Sequence, residues 1–261
     1  MRKPHSLYTT LLSVLGGILF LLLVATETTA ILLYRNNVLS TSNQNLQTTG
    51  EQLLGTYDSY FSQILRNSDA IIYSYNAIDD EDKFTAKMND YFSNVIALRE
   101  EVISLSLYKA SNGELLAYAG NVKEYQNVKE EKWFRQTYQT EENRLIPILT
   151  LPEKQNPLYP YSFSLSRYAS YDRNENWDAV LHIDFSFDSI VDSLSETALG
   201  EGGSFLIYDK DYQIVYSSLS NDLAKKRAIL KEFVVGNGLY EIGGHSFFVF
   251  ASSISNTSWR L

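Results

Sequence analysis

The chain passes through three hydrophobic regimes: an unbroken apolar run, a helical stripe, and then strict alternation. From Leu7 to Tyr34 nearly every residue is apolar or small, and the first charge is Glu27. Roughly 20 apolar residues in a helix cross a bilayer core, and Leu7–Ala25 with Ile31–Tyr34 supplies that length. Arg2 and Lys3, with His5, precede the run, which by the positive-inside rule places Met1 in the cytoplasm and the chain beyond Arg35 outside. Thr28-Thr29-Ala30 loosely resembles a signal-peptidase site. The run is long for a signal peptide, however, and cleavage would start the mature chain on Ile31-Leu32-Leu33-Tyr34, so an uncleaved anchor is expected. Glu27 reads as an interfacial carboxylate rather than part of an ion pathway.

Helical periodicity continues beyond the apolar run. Leu39, Leu46, Leu53 and Tyr60 fall seven apart, and Leu54, Tyr57, Phe61, Ile64, Leu65, Ile71 and Ile72 follow a 3.6-residue stripe. No proline interrupts Asn36–Tyr75, which as one helix would span about 60 Å. The three heptad leucines point to a parallel homodimer of stalk helices. Asp79-Asp80-Glu81 opens a second helix, with Phe84, Met88, Tyr91, Phe92 and Val95 on one face.

The period then shortens to two. Val102–Lys109 alternates apolar and polar, turns at Ser111-Asn112-Gly113, and is answered by Glu114–Tyr118. A short helix over Glu130–Thr140 carries Trp133, Phe134 and Tyr138. Strands follow at Arg144–Leu151, Pro160–Tyr168 and Trp177–Phe185, with links too short for helical crossovers, which predicts antiparallel pairing. Asp188–Ala198 reads as a connecting helix. The strand pair SFLIY and QIVYSS, a helix over Asn221–Phe233, and the hairpin LYEI–GG–HSFFVFASSI repeat the same logic in shorter form. The expected fold class is α+β, in two modules. The expected parts are a cytoplasmic N-terminus (1–6), a transmembrane helix (7–34), a stalk helix (35–78), a membrane-distal module (79–187) and a membrane-proximal module (188–261).

Charge and composition narrow the function. From Asn36 onward, 19 Lys and Arg stand against 30 Asp and Glu, a poor balance for nucleic acid. There is no cysteine, hence no disulfide and no thiolate metal site. The three histidines, His5, His182 and His245, have no metal-ligand spacing. No GxSxG elbow or phosphate loop occurs. Neither an enzyme nor a cofactor or metal site is expected.

The alternating strands supply the candidate site. Because a strand alternates sides, Ser104, Ser106 and Tyr108 share one face opposite Ile103, Leu105 and Leu107. Likewise Ser162, Ser164, Ser166 and Tyr168 oppose Phe163 and Leu165, and His182 and Asp184 oppose Leu181, Ile183 and Phe185. Serine rather than Lys or Glu on that second face argues for a covered polar cavity, lidded by the helix of Trp133 and Phe134, rather than a solvated sheet. Such a cavity suits a small polar ligand.

The order of parts resembles a double Cache domain, the PAS-like extracytoplasmic sensor of bacterial histidine kinases and chemoreceptors. The likeness rests on EKWFRQTY around Trp133, VLHIDFSFDSI around Asp184, GGSFLIYDKDYQIVYSS, and the terminal SISNTSWRL. It implies the extracellular sensor of a single-pass plasma-membrane transducer, most similar to Gram-positive sensor histidine kinases of two-component systems, truncated before a second transmembrane helix. It also implies a site matching the family's amino-acid binders at Tyr125, Trp133 and Asp184. The family's arginine and tyrosine positions around that tryptophan hold Glu131 and Phe134 here. Without the arginine an α-carboxylate has no clamp, which points to a sugar, a peptide-like or another neutral solute. A membrane-anchored binding or adhesion module with no signalling role is the alternative.

Overall fold

The computed structural model describes residues 7–78, 81–139, 148–150, 162–170, 177–188, 191, 203–218, 236–242, 245–255 and 257–261. The expected helices over 188–198 and 221–233 lie almost wholly outside the described residues. One helix, α1 (Leu7–Ala77), carries both the apolar run and the stalk. Its most apolar 18-residue stretch has a mean hydropathy of 2.1 and buries nothing against the chain. From Leu11 to Tyr34 its large apolar side chains are exposed, an arrangement that lipid satisfies and water does not.

The chain divides into two compact units. The first joins residues 1–50 with residues 237–250, which hold most of the hairpin of β8 (Gly236–Ile242) and β9 (His245–Ala251). Gly50 lets the helix lie close against the Phe250 ring, where an added Cβ would lie 2.5 Å from Cγ.

The second unit, 51–236 with 251–261, is built on a five-stranded antiparallel sheet ordered β2-β1-β5-β4-β3. Its strands are β1 (Val102–Lys109), β2 (Leu115–Gly120), β3 (Ile148–Thr150), β4 (Ser162–Ala169) and β5 (Ala179–Ser186). The β1–β2 turn forms where expected. Asn112 Oδ1 accepts from the Glu114 amide at 3.0 Å, and Gly113 takes φ +77, which an L side chain rarely adopts. A shorter ribbon pairs β6 (Leu206–Tyr208) with β7 (Ile214–Ser217).

Each face of the sheet has its own cover. On the apolar face, Leu105, Ile183 and Leu165 form one cross-strand row and Phe163 pairs with Phe185. The α1 stripe packs there: Tyr57 stacks on Phe187, Phe61 meets Phe163, and Arg167 of β4 bonds to Ser68 and Asp69. Helix α2 (Phe84–Leu98) packs against β2 and β1, burying Phe84, Met88 and Phe92. Helix α3 (Lys132–Gln139), preceded by a 3-10 turn at Val128–Glu130, covers the polar face. One expectation changes here. Leu53, the third heptad leucine, is buried within its own chain, because the stripe that packs on the fold runs through it. The heptad seam is therefore not a free dimer face at that end.

Candidate functional site

Strand register assembles the polar face. Ser104, Asp184 and Ser164 lie side by side on β1, β5 and β4, and the next row is Ser106, His182 and Ser166. Paired residues point to the same side of a sheet, so six side chains from three strands converge. Asp184 is the centre. Ser104 donates to its Oδ2 at 2.6 Å, Ser164 to its Oδ1 at 2.5 Å, and His182 Nε2 lies 3.3 Å from Oδ1. Burial alone would raise this carboxyl's pKa, but the hydrogen bond and charge of His182 and the two serine bonds outweigh it and hold the group at about 2. Asp184 is thus an oriented anion whose side chain remains 27% exposed. Among the described residues, no Lys or Arg pairs with it.

The remaining hydroxyls are internal. Ser166 shares a hydrogen with His182 Nδ1 at 2.9 Å, and Ser106 donates to the His182 carbonyl at 3.4 Å; both serines are buried. Over them lies an aromatic group. Trp133 stacks on the His182 ring with centroids 3.9 Å apart and planes 23° apart. Tyr108 and Tyr125 pack beside Trp133 at 5.9 and 5.8 Å. Burial, tempered by Ser106 and reinforced by the charges of Asp184 and Glu131, raises the Tyr108 phenol; burial and the Asp184 charge drive the Tyr125 phenol well above its ordinary value. The Tyr125 hydroxyl also feels the Trp133 indole N–H. The pair nevertheless misses hydrogen-bond geometry, and the buried Nε1 has no partner among the described residues.

The polar face is covered over His182, where the cover is in direct contact, while Asp184 stays part-exposed. Trp133 rests directly on His182, and the serines bond to Asp184 and His182. The cavity lies to one side. A space of about 760 Å³ opens between edge strand β2 and the segment from Asn121 to Val128, and Tyr108 and Tyr125 form part of its wall. Two of the expected residues stand apart from the carboxylate. Phe134 is buried in the aromatic core with Trp133, and Tyr168 donates to Asp178 at the far end of its strand.

The wall from Asn121 to Asn127 was invisible to the periodicity argument, since it is irregular backbone with no repeating pattern. Its signal was local: Lys123 sits two residues before Tyr125, and its ammonium lies 4.7 Å over that ring.

No sequence-family model matches the chain, and no curated protein matches it by sequence. Solved structures do match. The sensory domain of the Campylobacter jejuni chemoreceptor Tlp3 with isoleucine bound is similar at TM-score 0.64 and 11% identity, over 87% of this chain and 94% of that one. The ligand-binding domain of the Pseudomonas aeruginosa amino-acid chemoreceptor PctC in complex with GABA is similar at TM-score 0.62 and 15% identity, over 84% and 96%. That of the Pseudomonas fluorescens chemoreceptor CtaA in complex with L-isoleucine is similar at 0.61 and 14%, over 87% and 92%. These neighbours are double Cache sensor domains. The chain has the double Cache fold. Within that fold, β1, β4 and β5 supply the polar rows and α3 the aromatic cover, so the register of three double Cache strands fixes the site.

Proposed function

We propose that this chain is the extracytoplasmic ligand-sensing part of a transmembrane signal transducer, binding a small polar solute through a protonated amine at Asp184. One observation carries the reading: an anionic carboxylate, held by two serines and a histidine, remains part-exposed near three aromatic rings with no Lys or Arg paired to it among the described residues. A carboxylate offers about four lone-pair directions, and three are taken here. An ammonium fills the remaining one, and the neighbouring aromatic group of Tyr108, Tyr125 and Trp133 offers apolar packing for the rest of the solute. The like-folded domains solved with isoleucine and with GABA also hold amine-bearing ligands. Ser104, Ser164 and His182 orient the carboxylate, Ser106 and Ser166 hold His182, and the cavity beside Tyr125 is the way in.

In this reading the N-terminus lies in the cytoplasm and the bulk of the chain outside, because Arg2 and Lys3 precede the apolar run. Transduction passes to a kinase of the two-component type. A chemoreceptor output is the second reading, favoured by the like-folded solved domains, and the coding sequence beyond Leu261 separates the two. Ser166, His182 and Asp184 form a hydrogen-bonded line, but with Ser166 buried the line is read as support for Asp184 rather than as a catalytic triad.

The test is a thermal-shift screen of the full chain in lipid nanodiscs against amines, sugars and organic acids. A ligand at 100 times its dissociation constant stabilises the fold by about 2.7 kcal/mol, a clear melting shift. Amines are expected to give it. Shifts from sugars or organic acids alone would refute the amine, and no shift with any solute would refute small-solute sensing.

The transducer acts as a parallel homodimer through α1. Since Leu53 is buried, the available face is Gln52, Gly55, Thr56 and Ser59, which are exposed. Cysteines at Gln52 or Ser59 are expected to crosslink in membranes and a cysteine at Leu53 is not; crosslinking at Leu53 alone would reverse that assignment.

A further inference from the structure

We infer that the site exchanges an amine for a proton: an ammonium arriving at Asp184 expels a proton from His182, so that an amine is sensed weakly in acid and strongly at neutral and alkaline pH. The inference rests on the amine reading and adds its regulation. It follows from where His182 stands and from what shares its carboxylate.

His182 is buried on β5, two residues before Asp184. Its two ring nitrogens have different partners. Nε2 lies 3.3 Å from Asp184 Oδ1, and Nδ1 lies 2.9 Å from Ser166 Oγ. A neutral imidazole donates from one nitrogen and accepts at the other, whereas the cation donates from both. A hydroxyl can do either. With Nε2–H on the carboxylate, Ser166 donates to Nδ1 of the neutral ring or accepts from the cation, and no heavy atom has to move. The Trp133 ring, stacked at 3.9 Å, accommodates the imidazole in both states. His182 can therefore hold or release a proton in place.

Two cations then compete for one carboxylate. A protonated His182 neutralises Asp184 from hydrogen-bonding distance, and an ammonium on the same carboxylate sets a like charge beside it. A like charge nearby disfavours the protonated ring, so the proton leaves to solvent as the amine arrives.

The other groups around the ring leave His182 as the one that responds. Asp184 is held at about 2, so it stays ionised from about pH 5 to about pH 8, the range in which imidazole ordinarily changes charge. On β1, Ser106 meets the His182 carbonyl. The phenols of Tyr108 and Tyr125 are raised by burial and stay neutral. On β4, Arg167 lies on the opposite face, bonded to Ser68 and Asp69 of α1. On α3, Lys132 and Arg135 are exposed, and at its entry the charge of Glu131 is felt by Tyr108 and Tyr125.

Isothermal titration of the full chain in nanodiscs tests this, with n-butylamine and ethanolamine, whose ammonium groups stay protonated throughout. At about pH 6, buffers of different ionisation enthalpy should reveal protons released on binding, and affinity should fall on the order of tenfold from about pH 8 to about pH 5. Linkage is reciprocal. In NMR spectra of the chain carrying labelled histidine, saturating amine should lower the proton affinity of His182 by the same factor. His182→Gln, which can still donate to Asp184, should lose both the proton release and the pH dependence. His245→Gln, on β9, should keep them. Binding without proton release, an affinity constant across the range, or release that persists in His182→Gln would each overturn the inference and leave the amine reading standing. Failure of these and every other amine of the screen to bind would overturn both.

Discussion

Asp184→Asn is expected to lose amine binding by a factor on the order of 30 to 1,000 while the domain stays folded at neutral pH. The substitution keeps the shape and the capacity to accept from Ser104 and removes the negative charge. Removing one partner from a desolvated, hydrogen-bonded charge pair costs about 2–4 kcal/mol, which sets that range. Titration of the strongest amine from the screen checks it, and affinity within threefold of the parent chain would show that the ammonium sits elsewhere.

The same variant has a signature in acid. The Asp184 pKa is lowered from 3.8 to about 2 in the folded chain. A depressed carboxyl stabilises the fold above its unfolded pKa, and that contribution disappears as pH falls through the folded value. The parent chain should therefore lose about 2 kcal/mol relative to Asp184→Asn between about pH 4 and pH 2. Urea unfolding of both proteins across that window measures the difference. A constant difference would mean that the serine and histidine bonds do not favour the ionised form.

Much of this arrangement could be read from residue order. Alternation in Val102–Lys109 and Val180–Phe185 assigned each side chain to its face, and the observed register places Ser104 beside Asp184 and Ser106 beside His182. Period fixes face because successive residues of a strand point to opposite sides. It does not fix what covers the face. Whether Trp133 would stand off the serines or rest on His182 depends on how α3 is seated, which is a tertiary outcome. The cavity wall from Asn121 to Asn127 lies in irregular backbone, where no period operates. The stalk heptad is ambiguous at Leu53 for a related reason: a spacing of seven is the same whether that leucine faces a second helix or the core of its own chain. Within the second unit Leu53 joins Tyr57 and Phe61 in the intramolecular stripe, and spacing alone is blind to that choice.

Trp259→Ala is expected to destabilise the second unit by about 3–5 kcal/mol, the usual cost of deleting a fully buried large aromatic side chain. Trp259 is 1% exposed, and its ring meets three others edge-on: Phe61 of α1 at 5.2 Å, Phe163 of β4 at 5.3 Å and Phe187 at 6.1 Å. A helix, the sheet and the terminal segment therefore share one side chain. Other contacts hold that segment around it. Asp58 of α1 accepts from the Ser255 amide at 2.7 Å and its hydroxyl at 2.9 Å, and Arg260 exchanges backbone bonds with Tyr208 of β6. These polar contacts fix the path of the chain, while the indole is among the largest fully buried side chains of the described residues. Trp259→Phe keeps part of the ring packing and should cost less than half as much. Hydrogen exchange should show where the loss falls: the amides of Ser252, Ile254 and Tyr208 deprotect before those of Leu105 and Ile183, because the central sheet keeps its own core. Urea unfolding of both variants sets the magnitude, and a cost below about 1 kcal/mol for Trp259→Ala would mean that the aromatic junction is not what holds the terminal segment. If Asp184 holds the ligand as proposed, the junction also bears on signalling, because β5 presents Asp184 to the polar face and Phe185, stacked at 5.3 Å on Phe163, to the junction. A ligand that moves β5 by binding its carboxylate moves the partner of the ring on which Trp259 rests.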